Sequence, residues 1–235
     1  YAQNFLSQIH ADVVLFSVQA LTEDGNFYDC YAEEVAVRNI MLKNVIFDFG
    51  GVVCTFSQDA ILDDFCTGEA HARLKPVLFR SWQALDEGTA DYEEYVAETL
   101  KLLDGEDKQI AQRFFRQWHR SMRPIPGIWA LVGELKARGY GVYLLSNAST
   151  WFAGHLDDYP ILRLFDGRLI SAPEKMAKPE ERIYRLALER FGLNAAETLF
   201  VDDRAENTEA AERVGIAGYV FDGDAEKLRE RILKG

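Results

Sequence analysis

Four short stretches of the chain carry side chains suited to chemistry at phosphorus. Asp48 follows the apolar run Val45-Ile46-Phe47 and precedes Gly50-Gly51. A carboxylate at a strand end is accessible to solvent, and neighbouring glycines let a ligand approach the backbone closely. Such a residue can be a covalent nucleophile, a metal ligand, or simply a helix or turn cap. Asp202-Asp203 follow the run Thr198-Leu199-Phe200-Val201. Adjacent carboxylates repel unless a cation lies between them or one takes up a proton. Oxygen ligands from Asp48 and this pair suit Mg²⁺, which prefers a few carboxylates with water and phosphate. Capping the next helix is the plainer alternative. Asn207 falls on that helix's first turn, where it can orient the pair. Ser146-Asn147 end another apolar run, and a hydroxyl there can donate to a phosphoryl oxygen. The ammonium of Lys178 can neutralise charge developing on such an oxygen. Pro179 favours the start of a helix and would fix where Lys178 points, although a lone Lys before a helix is more often a solvated surface group.

The elements that must position these residues follow from hydrophobic patterning. The runs ending at Asp48, Ser146-Asn147 and Asp202-Asp203, and a last one over 216–221, are apolar on consecutive positions. That pattern predicts strands buried on both faces of a parallel sheet. Helical spacing recurs between them, in Ile128, Leu131, Val132 and Leu135, and in Ile183, Leu186, Ala187 and Phe191 before Gly192. The fold class is α/β, a Rossmann-like doubly wound parallel sheet, in which ligands bind at the carboxyl ends of the strands. Residues 57–122 read as helices without a strand, a small helical cap inserted after the first core strand. The core then comprises 41–56 and 123–235, and residues 1–40 form an amino-terminal appendage. The aromatics Phe79, Trp82, Tyr92, Tyr95, Phe114, Phe115 and Trp118 are expected to form the cap's own core rather than a substrate-binding box. The stretch from Ser81 to Thr89, with Trp82 and Glu87, is a guess for cap contacts with substrate.

Composition narrows the partners. Of 235 residues, 48% are hydrophobic and 27% charged, and 38 acidic side chains against 26 Lys and Arg give a net charge of −12. That balance argues against nucleic acid as a partner, but not against a small phosphorylated metabolite bound at a local basic or metal-bearing site. No run approaches the roughly 20 apolar residues needed to span a bilayer. The apolar stretch 11–20 is short, contains Asp12 and lacks a basic flank, so it makes a poor signal peptide. Three cysteines, Cys30, Cys54 and Cys66, show no disulfide or metal spacing. The reading is a cytoplasmic protein.

The order of these elements resembles a known pattern. Residues 44–53 (NVIFDFGGVV), 144–147 (LLSN), 178–184 (KPEERIY) and 199–207 (LFVDDRAEN) resemble the four motifs of the haloacid dehalogenase superfamily, most closely its alpha-glucose-1-phosphate phosphatase branch. The resemblance implies a Mg²⁺-dependent phosphatase acting on small phosphomonoesters, sugar phosphates first, through a phosphoaspartyl intermediate. Asp48 would be the nucleophile, and Ser146, Asn147 and Lys178 would hold the phosphoryl group. Asp203, supported by Asp202, would ligate the metal with Asp48 and the backbone carbonyl of Gly50. Most phosphatases of the superfamily carry a second Asp, the general acid, where this chain has Gly50. Losing a general acid costs about 10²–10⁴ in rate. Haloacid dehalogenases of the superfamily also lack that Asp, so dehalogenation is an alternative, but the Asp202-Asp203 pair weighs against a reaction that needs no cation.

Residues 10–42 (HADVVLFSVQALTEDGNFYDCYAEEVAVRNIML) are similar to part of the sugar-effector domain of DeoR-type transcriptional regulators. No helix-turn-helix precedes them, and acidic residues at 12, 23, 24, 29, 33 and 34 face Arg38 alone. Met41 stands where a phosphatase of this type would begin. These features leave a second alternative, a non-catalytic or regulatory phosphosugar-binding protein fused to a regulator remnant. A strand edge in the appendage would need covering by the same chain or by a partner, which is compatible with a homo-oligomer.

Overall fold

Runs of consecutive apolar residues become strands of one parallel sheet. In a computed structural model, the described residues are 42–234, plus the strands β1 (Ala20–Leu21) and β2 (Phe27–Tyr28), which pair antiparallel. The chain divides into units Tyr1–Ile40 and Met41–Gly235. Apart from β1, β2 and Leu42, the regulator-like segment lies outside the described residues, as does Cys30.

In the second unit, β3 (Asn44–Phe47), β4 (Gly141–Ser146), β5 (Gly167–Ile170), β6 (Thr198–Asp202) and β7 (Ala217–Val220) form a parallel sheet in the order β5-β4-β3-β6-β7. The order reverses at β3, which therefore has a neighbour on each side. Val45, Ile46 and Phe47 are fully buried there. Two strands differ from the sequence expectation. β5 was not anticipated, because Gly167-Arg168-Leu169-Ile170 offers too short an apolar run. β7 is an edge strand and not buried on both faces; Val220 is 46% exposed.

Five helices follow β3 within 57–122: α1 (Gln58–Asp63), α2 (Gly68–Leu78), α3 (Trp82–Asp86), α4 (Tyr92–Lys101) and α5 (Gly105–Gln117). Their starts are chemically marked. The Ser57 hydroxyl accepts from the Ala60 N–H at 3.4 Å, and the Asp91 carboxylate accepts from the Glu94 N–H at 3.0 Å. Phe79 packs edge-on against Phe114, and Trp82 edge-on against Trp118, with ring centroids 5.3 and 5.0 Å apart. These aromatics pack mainly on one another, and Trp82 and Trp118 also reach a cavity wall.

The remaining helices are α6 (Pro126–Ala137), α7 (Thr150–Ala153), α8 (Ser171–Glu174), α9 (Glu181–Phe191), α10 (Ala205–Arg213) and α11 (Ala225–Leu233). Alternate residues of β3 feed two layers. Val45 and Phe47 join α6 and α11 through Ile128, Leu131, Leu228 and Ile232, while Ile46 joins α9 and α10 through Ile183, Tyr184, Ala187, Ala210 and Ala211. That two-sided cover makes the sheet doubly wound. No helix among the described residues is long and apolar enough to cross a membrane.

Candidate active site

The three central strands deliver the polar residues to one edge. Register pairs Phe47 with Leu144 on one side and with Val201 on the other, so Asp48 lies level with Leu145 and Asp202. Its own N–H donates to the Val201 carbonyl at 2.9 Å. Asp48, Ser146 and Asp202 thus emerge from β3, β4 and β6 at the carboxyl end of the sheet, where its order reverses and open α/β sheets bind ligands.

Lys178 joins them from the segment between α8 and α9. It is not a solvated surface lysine: its side chain is 1% exposed. Nζ donates to Asp202 Oδ2 at 2.6 Å and to the Leu145 carbonyl at 3.1 Å. It also lies 2.8 Å from Asp48 Oδ1, a charge contact outside hydrogen-bond geometry, which leaves that buried oxygen without a donor. Burial works to lower the Lys178 pKa, but the charges of Asp48 and Asp202 outweigh it and hold it above the ordinary lysine value. Burial pushes the Asp48 carboxyl up to about 6, with Lys178 pulling it down and Asp202 pushing it further up. One ammonium therefore holds together two buried carboxylates that would otherwise repel.

Asn147 lines the cavity described below and has a second role there. Its carboxamide oxygen accepts the Lys178 N–H and its Nδ2 donates to the Lys178 carbonyl, both at 2.8 Å. The pair clamps the backbone next to the cis Lys178–Pro179 peptide, so Asn147 positions Lys178. Pro179 stands two residues before α9 and does not open it. Ser146 is buried, and its neighbourhood lines the cavity described below.

The acidic pair divides its labour. Asp202 is fully buried; besides Lys178, its Oδ1 accepts from the Arg204 N–H and from Asn207 Nδ2, each at 2.9 Å. Asn207 thus orients Asp202 as its spacing predicted, and its own Oδ1 is buried with no donor. Asp203 as a residue is exposed, but its carboxyl is partly shielded from water, and that desolvation together with the Asp202 charge raises its pKa against the pull of Lys178. One oxygen each of Asp48, Asp202 and Asp203 lies within 4.8 Å of the others. An all-oxygen set with unfilled buried acceptors at Asp48 and Asn207 fits a hard cation that keeps some of its water.

The two glycines act differently from a bare opening for ligand. Gly51 has φ +83°, and a Cβ there would fall 2.3 Å from Asp203 Oδ2, so its bare Cα makes room for that carboxylate. A Cβ on Gly50 would stand 3.0 Å from the Phe56 Cβ, a side chain 40% exposed above it. A cavity of about 440 Å³ opens here, lined on the core side by Asp48, Ser146 and Lys178 and on the helical side by Trp82, Asp86 and Glu87. Glu87 falls within the stretch guessed for cap contacts. Asp86 falls within that stretch too, without having been singled out, while Phe56 carried no recognisable spacing in the sequence and only the turn after Gly51 brings it in.

A family model for haloacid dehalogenase-like hydrolases matches residues 42–215. A sesquiterpene phosphatase of Aspergillus oryzae is 32% identical over 202 residues, covering 82% of this chain and 97% of that protein. A D-ribitol-5-phosphate phosphatase of Bacteroides thetaiotaomicron is 26% identical, covering 81% of this chain and 97% of that one. Among solved structures, a HAD family enzyme of Bacteroides thetaiotaomicron, in complex with magnesium and inorganic phosphate, superposes with a TM-score of 0.63 at 24% identity, covering 80% of this chain and 98% of that one. That last likeness is one of fold. With the motifs at adjoining strand ends, a family match spanning most of the chain and a relative at 32% identity, the chain belongs to the haloacid dehalogenase-like hydrolases.

Proposed function

We propose that the protein is a Mg²⁺-dependent phosphatase of small phosphomonoesters, working through a phosphoaspartyl intermediate on Asp48. The observation that carries this reading is the buried Asp48–Lys178–Asp202 arrangement, with Asp203 beside it. Asp48 keeps its Oδ1 ionised against the Lys178 ammonium 2.8 Å away, which suits a carboxylate nucleophile. Lys178 keeps the carboxylate ionised and, with the Ser146 hydroxyl, faces the cavity where the phosphoryl group would sit. Asn147 and Asn207 hold Lys178 and Asp202 in place. Asp48, Asp203 and the carbonyl of Gly50 would hold Mg²⁺, with Asp202 supporting; when bound, it offsets the charge of nucleophile and phosphate. Splitting one displacement into two through an aspartyl phosphate lowers each barrier.

Sugar phosphates head the substrate classes, in line with the ribitol-5-phosphate phosphatase relative and with the resemblance of the four motifs to the alpha-glucose-1-phosphate phosphatase branch. A second class, phosphomonoesters of apolar alcohols, is favoured by Phe56, Trp82, Trp118 and Met122 on the cavity wall, and by the sesquiterpene phosphatase relative. Residues 1–40, in this reading, are an appendage to the enzyme that resembles a regulator fragment.

The test is phosphate release from a panel holding ribitol-5-phosphate, glucose-1-phosphate and farnesyl monophosphate, with Mg²⁺ and with chelator. The expected result is Mg²⁺-dependent release, lost in Asp48→Asn to the background of the assay. Release retained by Asp48→Asn would overturn the nucleophile assignment. Chloride release from a 2-haloacid without metal would move the reading to dehalogenation.

A further inference from the structure

A phosphomonoester of an ordinary alcohol leaves as a poor alkoxide unless a group in the site protonates it. Among the described residues that line the cavity, the core offers no free donor of that kind. Lys178 is held between two carboxylates with a raised pKa, which makes it a weak acid. Asp203 belongs to the cation set. Position 50 is a glycine, and Phe56 occupies the space above it. Glu206 pairs with Arg204, and Glu87 accepts a hydrogen bond from Gln83 Nε2 at 2.7 Å. Asp86 remains: its carboxyl lines the cavity and makes no hydrogen bond or ion pair with the described residues.

The backbone of Asp86 is fixed against the core. The Ser171 hydroxyl donates to the Asp86 carbonyl, and Ser171 Oγ in turn accepts the Ala148 N–H at 2.9 Å. Ala148 lies two residues past Ser146, so this relay ties the end of α3 to the strand end that carries the phosphoryl-facing hydroxyl. Gly88 adds a second tie. It has φ +69°, and a Cβ there would lie 2.2 Å from the Ala172 carbonyl, an approach only glycine allows. The backbone that carries Asp86 is thus fixed where the residue lines the same cavity as Asp48.

We propose that Asp86 is a catalytic residue, the proton donor and acceptor of the hydrolysis. This rests on the phosphatase reading. In the first half-reaction an Asp48 oxygen bonds to phosphorus, the bond from phosphorus to the alcohol oxygen breaks, and the Asp86 proton passes to that oxygen. In the second, water bonds to phosphorus, the Asp48–phosphorus bond breaks, and the water's proton returns to Asp86, releasing phosphate. The protonation state supports the role. Burial first, then the charges of Asp48 and Glu87, push the Asp86 carboxyl up to about 8 against the pull of Lys178. It therefore carries its proton through neutral pH and loses it as the pH rises past that value.

Asp86→Asn in the full chain tests this, because it keeps the shape of the side chain and leaves the carbonyl bonded to Ser171. Two substrates are compared by kcat/KM, which reports the first half-reaction: 4-nitrophenyl phosphate, whose leaving group departs without a proton, and the alkyl phosphate turned over fastest in the panel. The expected loss is about 10²–10⁴-fold on the alkyl phosphate and less than about tenfold on 4-nitrophenyl phosphate. The wild-type alkyl phosphate profile should fall above about pH 8, and the variant's should lack that limb. Equal losses on both substrates, or a retained alkaline limb, would overturn the role of Asp86 and leave the phosphatase reading standing. A wild type that releases phosphate from neither substrate with Mg²⁺ would overturn both.

Discussion

Single residues decide this site by their charge partners. Lys178 has two carboxylates within 2.8 Å and almost no contact with water. Removing one partner from a buried ion network costs about 3–5 kcal/mol, because the charges left behind are neither solvated nor neutralised. Lys178→Met should therefore lower unfolding free energy by about that amount, read from denaturant midpoints, as well as abolishing turnover. A loss within about 0.5 kcal/mol, the range of ordinary surface changes, would mean that the ammonium does not hold Asp48 and Asp202 together. At this scale the sequence was informative where a residue followed an apolar run: Asp48, Ser146, Asp202 and Asp203 all come to one strand edge, and Lys178, which follows no such run, joins them from the segment before α9. Asn147 was less legible. Its neighbour in the chain is a site residue, but its hydrogen bonds go to a backbone more than thirty positions away, and no local pattern encodes such a partner.

Elements set what those residues can reach. The turn after β3 is shaped by Gly51, whose positive φ and missing side chain admit Asp203. The end of α3 is shaped by Gly88, which lets the helical segment sit on the Ala172 carbonyl. Gly88→Ala would strain the backbone and press a methyl group onto that carbonyl. The expected cost is about 1–3 kcal/mol in stability, with a larger fall in kcat/KM for alkyl phosphates than for 4-nitrophenyl phosphate if the displaced loop carries the proton donor away. Denaturant unfolding and the same two substrates read both effects; a neutral variant would show that the loop is not docked through Gly88. The strands were legible where apolar runs were long, as in 141–145 and 198–201. β5 was not, since half its residues are Gly167 and Arg168, and its place comes from pairing with β4 along Tyr143–Ser146. Asp86 lay within the stretch 81–89 guessed for cap contacts but was not singled out, for a related reason. A carboxylate at the end of a five-residue helix has no periodic signature, and only its place on the cavity wall sets it apart from its neighbours in 81–89.

The molecule as a whole divides its firmness unevenly. β3 is the one strand of the sheet flanked by pairs of neighbours on both sides, and its three apolar residues are fully buried between two layers of helices. Amides in such a place exchange with solvent only when the whole unit opens, whereas less enclosed segments exchange through local openings. Hydrogen exchange should accordingly find 45–48 among the slowest amides, with the loop after α3 faster; the reverse order would contradict this placement. The acidic balance read from composition acquires a location too, since three of its carboxylates gather at the carboxyl end of that strand.

The central position of β3 also bears on how the protein would fail under heat. The proposed nucleophile sits at the end of the strand expected to open last, while the proposed proton donor ends a five-residue helix tied down by the buried Trp82 and Leu85, the Ser171 hydroxyl and the Gly88–Ala172 approach. Warming would then uncouple the two before the fold is lost. Hydrolysis of activated esters would outlast hydrolysis of alkyl esters, and the gap between the two inactivation temperatures would measure the strength of the docking.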